Sequence, residues 1–63
     1  MLKISMRAAR VNANLTRREA AEMLGITLDT LRNYESGKTI PRADIMAKME
    51  EVYHFPAEYI KFF

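Results

Sequence analysis

Helix caps and helix breakers recur so closely along this chain that they leave it little choice of fold. Thr16 and Glu19 stand three apart, in the order Thr-Arg-Arg-Glu. A threonine hydroxyl there accepts from the backbone at a helix start, while the glutamate reaches back to the capping residue. Gly25 follows one short helix later, where the chain favours a residue that tolerates positive φ. Only Ile26 separates it from Thr27, a second capping residue, and Gly37, Pro41 and Pro56 punctuate the remainder. These signals predict helices over about 5–13, 16–25, 27–36 and 43–53, with Asn14 ending the first. Pro56 is placed for the first turn of a short fifth helix ending near Ile60. Every glycine and proline then lies at a helix boundary. Strand signals are poor, with no alternating β-branched run and no Asn-Gly or Asp-Gly hairpin turn. The expected fold is therefore all-α, with five helices.

Its 63 residues predict one domain, residues 1–63. A chain of this size buries only ~60% of the surface its unfolded form exposes, and its stability margin is roughly 3–5 kcal/mol. Without cysteine there is no disulfide framework or thiolate metal site, and one histidine does not make a zinc site. No apolar run is long enough to span a bilayer, and the opening MLKISMRAARVN lacks a stretch of signal-peptide length. A cytoplasmic, nucleoid-associated protein is expected. No paired carboxylates, metal constellation, glycine-rich phosphate loop or histidine beside a nucleophile appears, so neither an enzyme nor a cofactor or small-molecule ligand is expected. The net charge of +2 is uneven. Residues 1–40 carry seven Lys/Arg against four Asp/Glu, and residues 41–63 carry three against four. The basic part is the part suited to phosphate, although a solvated charged face has the same count.

Residues 17–36 fit two helices crossing steeply over a short turn. Ala21 suits a close approach of backbones, Gly25 suits positive φ, and Ala20, Leu24, Ile26, Leu31 and Tyr34 supply an apolar set for one core. The opposite face of the second helix of the pair then carries Leu28, Asp29, Arg32 and Asn33, at helical positions that share a side. In a major groove, Arg32 suits guanine, Asn33 suits adenine and Leu28 suits a thymine methyl group. Asp29 can accept from cytosine N4 but is otherwise repelled by a duplex.

The stretch LTRREAAEMLGITLDTLRNYESGKTIP resembles the helix-turn-helix core of the Cro/repressor, or XRE-type, family, to which the lambdoid phage repressors belong. AARVNAN ahead of it resembles a subgroup of Gram-positive prophage regulators, and KMEEVYHFPAEYIKFF resembles the family's fourth and fifth helices. The specificity of the match lies in the ordered set Thr16, Ala21, Gly25, Tyr34, Glu35, Gly37, Lys38 and Pro41. The resemblance implies a lambda-repressor-like DNA-binding domain reading a groove through Leu28, Asp29, Arg32 and Asn33. It also implies DNA-backbone contacts by Arg17, Thr27, Ser36 and Lys38. Glutamine is usual where Arg17 stands, so phosphate is held more strongly here and bases are read less selectively. Asn14 and His54 replace glycines; either His54 takes a left-handed conformation or the fourth helix ends differently. Alanine replaces the usual leucine at positions 9 and 20, which suggests that Met6, Met46 and Met49 fill the space.

Several of these side chains have a plain structural role. Arg10 and Glu35 are often a buried pair in the family, and that role is preferred to a free Arg10 meeting phosphate. Tyr34 is assigned to the core with its hydroxyl at the rim, and Met23 to solvent. Phe55 and Ile60 should close the core. Phe62 and Phe63, with Tyr59 beside them, exceed what a small domain easily hides; they suggest a homodimer interface, with chain-end disorder as the alternative. Two reading helices ~34 Å apart would then meet a palindromic double-stranded operator. The functional expectation is a sequence-specific, Cro-like repressor, since no second domain is expected. The alternative is a protein-binding regulator of antirepressor or antitoxin type on the same fold.

Overall fold

The computed structural model describes residues 2–63. The order is strand β1 (Ile4–Ser5), helices α1 (Met6–Asn12), α2 (Arg17–Leu24), α3 (Leu28–Glu35) and α4 (Ala43–Tyr53), a 3-10 turn (Ala57–Tyr59) and strand β2 (Ile60–Lys61).

Local chemistry sets most of these limits. Ser5 Oγ accepts from the Ala8 amide at 3.0 Å and starts α1. Thr16 Oγ1 accepts from the Glu19 amide at 3.1 Å while Glu19 Oε1 accepts from the Thr16 amide at 2.9 Å, so both halves of the capping box are made. The Thr16 amide first, and the Thr16 hydroxyl second, hold the Glu19 carboxyl below its ordinary value of 4.5. Gly25 ends α2 at φ 73°, and Thr27 Oγ1 accepts from the Thr30 amide at 3.1 Å to start α3. Arg42, after Pro41, stands at the cap of α4 without a capping side-chain hydrogen bond, and its Nη2 donates to Asp44 Oδ2 at 3.3 Å. Asn14 (φ 62°) and His54 (φ 52°) both take the left-handed conformation, as does Gly37. His54 thus ends α4 as a glycine would, at the steric cost of a Cβ.

The core is Met6, Ala9, Ala20, Ala21, Leu24, Leu31, Ile45, Met49, Tyr53 and Ile60. Ala20 and Ala21 are almost wholly buried, which lets α2 lie close to its neighbours. Met6 and Met49 fill the core, whereas Met46 is only half-buried and stands outside the buried cluster. Ile26, Tyr34 and Phe55 pack against that cluster without being fully covered.

Two expectations need correction. Among the described residues there are four α-helices, not five, because the predicted last helix is a single 3-10 turn with Pro56 preceding it. The chain beyond it turns extended so that Ile60 can enter the core. A short parallel ladder forms in its place, pairing Ile4 with Ile60 and Ser5 with Lys61, so the protein is mostly helical and not purely so. Phe62 packs against the core and is half-buried, leaving Phe63, 85% exposed, as the outlying aromatic. Among the described residues, no helix is long and apolar enough to cross a membrane.

Candidate nucleic-acid interface

The α2–α3 pair follows from Gly25. Its left-handed conformation lets its own amide bond Glu22 O at 3.2 Å and the Ile26 amide bond Ala21 O at 3.0 Å. That closes α2 and turns the chain at once into the Thr27 cap. Leu31 is fully buried, anchoring one side of α3. On the other side, Asp29 and Arg32 are exposed, while Leu28 and Asn33 are half-buried. The structure thus brings the four proposed base-reading residues to one side of α3 with a carboxylate, a guanidinium, an amide and an apolar group among them. Arg32 Nη1 lies 3.6 Å from Asp29 Oδ1, with side chains 58% and 88% exposed. An exposed pair of this kind contributes at most about 1 kcal/mol to stability. On this side of α3 the carboxylate tethers the guanidinium and offsets its charge.

Behind α3 lies an ion cluster. Arg10 Nε donates to Glu35 Oε2 at 2.7 Å, Arg10 Nη2 to Glu35 Oε1 at 3.2 Å, and Arg10 Nη1 to the Leu15 carbonyl at 2.9 Å. The Arg10 and Glu35 side chains are only 8% and 4% exposed, so this pair ties α1 to the end of α3 inside the molecule. All three nitrogens of Arg10 are engaged and its side chain is 8% exposed, so it is turned inward and not towards an external phosphate. Arg17 Nε also donates to Glu35 Oε1, at 3.1 Å, from a side chain 34% exposed. Sequence reasoning placed Arg17 at DNA phosphate and missed this second arm. The two residues are far apart along the chain, and no local spacing signals the contact. The Asp29–Arg32 contact was legible in principle, because three-residue spacing makes helical neighbours.

The proposed backbone contacts are less uniform. Lys38 is exposed, and its amide bonds Asn33 O at 2.9 Å, which folds the chain back after α3. Ser36 Oγ donates to the same carbonyl at 3.2 Å, and Thr27 Oγ1 is held by the cap and by Thr30 Oγ1 at 2.8 Å. Both hydroxyls serve α3 itself. Tyr59 is half-buried, near the chain end with Phe62 and Phe63. The buried Tyr53 hydroxyl has no hydrogen-bond partner among the described residues, and its pKa is pushed up to about 12 by burial first and by the Glu35 carboxylate second. Among the described residues, no three His, Cys, Asp or Glu side chains come together in a way that could hold a metal ion.

A helix-turn-helix family model matches residues 6–60. The HTH-type transcriptional regulator ImmR of Bacillus subtilis (strain 168) is 34% identical over 55 residues, covering 87% of this chain and 43% of that protein. The chain spans less than half the length of this relative. No solved structure matches the chain at comparable significance. With the family match running from the start of α1 into β2, and with the capped, glycine-turned α2–α3 pair at its centre, the chain belongs to the XRE-type helix-turn-helix family.

Proposed function

We propose that this chain is a sequence-specific transcriptional regulator that binds double-stranded DNA, acting as a Cro-like repressor with the helix of residues 27–36 in the major groove. The observation that carries the proposal is the two-sidedness of α3: Leu31 is locked in the core, while Asp29 and Arg32 stand in solvent on the other side. Phosphate contacts by Arg17 and Lys38 fix register and carry no sequence information, whereas Arg32 and Asn33 choose bases. Occupancy of an operator overlapping a promoter then excludes polymerase. The name of the Bacillus subtilis relative supports regulation of transcription.

A homodimer is part of the same reading. Phe63 is exposed at a chain end that also carries half-buried Tyr59 and Phe62, and two copies joined there would present their reading helices to a palindromic operator. Sedimentation with and without operator DNA tests this; a monomer in both conditions removes it.

The decisive experiment is selection of bound duplexes from a random pool, repeated with Arg32→Ala and Asn33→Ala. Each variant is expected to lose discrimination at one or two base positions, by ~1–3 kcal/mol. Unchanged base preferences in both variants would refute the proposed reading face. A parent protein that enriches no sequence would refute sequence-specific binding altogether.

A further inference from the structure

Glu35 is one carboxylate between two guanidiniums, and it cannot neutralise both. Arg10 is buried and has every nitrogen engaged. Arg17 is engaged only through Nε, and neither of its amino groups has a partner among the described residues. The uncompensated positive charge of the cluster therefore belongs to the more exposed Arg17, at the first position of α2. A guanidinium is a planar fork, so one edge can rest on a carboxylate while the other meets a phosphate.

We infer that Glu35 is a positioning residue for nucleic-acid binding: it holds the Nε edge of Arg17 so that the amino edge is prealigned for a backbone phosphate. Glu35 is also the last residue of α3. One carboxylate thus links the phosphate-holding arginine of α2 to the reading helix, fixing where phosphate lies relative to the base-reading face. The capping box consumes the Thr16 and Glu19 amides, leaving the Arg17 and Arg18 amides at the same helix start. This inference rests on the DNA-binding reading above and adds a residue that touches no DNA. Lysine is not an equivalent at position 17, because an ammonium drawn onto Glu35 has no second rigid edge to offer.

The test uses the full chain and a mixed-sequence duplex, with affinity followed by fluorescence anisotropy across a series of salt concentrations. Thermal melts establish that each variant is folded at the working temperature. Arg17→Gln is expected to bind about tenfold more weakly at low salt. Its slope of log affinity against log salt should be shallower by about 0.9. Arg17→Lys keeps the charge, so its slope should stay near the parent's while its affinity still falls several-fold. An Arg17→Gln slope equal to the parent's would overturn the phosphate contact. Parent-like affinity in Arg17→Lys would overturn positioning by Glu35, and that variant keeps the question open to refutation if the glutamine variant does not fold. A parent with no salt-dependent duplex affinity would overturn the DNA-binding reading, and this inference with it; a binding parent with unaltered variants overturns this inference alone.

Discussion

Replacing Glu35 with alanine strikes the one place, among the described residues, where paired charges are held out of water. The Glu35 side chain is 4% exposed and that of Arg10 is 8% exposed. Removing the carboxylate strips the acceptor from Arg10 Nε and Nη2 and from Arg17 Nε, leaving Arg10 with only the Leu15 carbonyl. Breaking a buried pair on one side costs about 3–5 kcal/mol, because the remaining charge is buried without compensation. A domain of this size has only roughly 3–5 kcal/mol in total. At about 4–8 °C per kcal/mol, the loss lowers the melting temperature by tens of degrees or abolishes the transition. Far-UV circular dichroism, followed through a thermal ramp and a urea titration, reads this directly. A Glu35→Ala melting temperature within a few degrees of the parent's would refute the argument. A companion variant separates uncompensated charge from lost contact. Arg10→Met combined with Glu35→Leu replaces the pair with apolar volume and should recover most of the stability. If the double variant is as unstable as the single, the buried-charge explanation is wrong.

Three further outcomes are expected. The raised Tyr53 pKa, about 12, means that its contribution is fully present below the unfolded value of 10.0 and is lost as pH rises through 12. That loss amounts to at most about 3 kcal/mol, and Tyr53→Phe should lack it and be about 1 kcal/mol more stable at neutral pH. Equal alkaline limbs in urea titrations of parent and variant would refute this. Glu19 has a lowered pKa, so its cap is fully made above 4.5 and is lost as pH falls below that value. The stability difference between parent and Glu19→Gln should narrow there, and a constant difference across acid melts would contradict it. Asp29→Asn removes an exposed carboxylate from the proposed reading face and frees Arg32. Anisotropy should show several-fold tighter binding to mixed-sequence duplex, and weaker binding would show that the carboxylate makes a favourable contact.

The sequence alone determined most of the limits of the four α-helices. Thr16 with Glu19, Gly25 and Thr27 act on backbone groups no more than a few residues away, so spacing along the chain is enough to read them, whereas His54 was left with two outcomes and only the structure shows the left-handed one. That Leu28, Asp29, Arg32 and Asn33 share a side of α3 was legible for the same reason, since helical periodicity assigns sides before anything packs. The tertiary structure decided the rest. Arg17 reaches Glu35 18 residues away, and Ile4 pairs with Ile60 from the other end of the chain. That pairing turned an expected last helix into a single 3-10 turn, because burying Ile60 and satisfying an extended backbone outweighed the propensity of three residues to continue as a helix. Whether Phe62 is covered, and whether the Tyr53 hydroxyl finds a partner, likewise depend on which distant atoms surround them. Local hydrogen bonds have partners that sequence spacing names. Burial and long-range charge pairing do not, because their partners are chosen only when the helices close on one another.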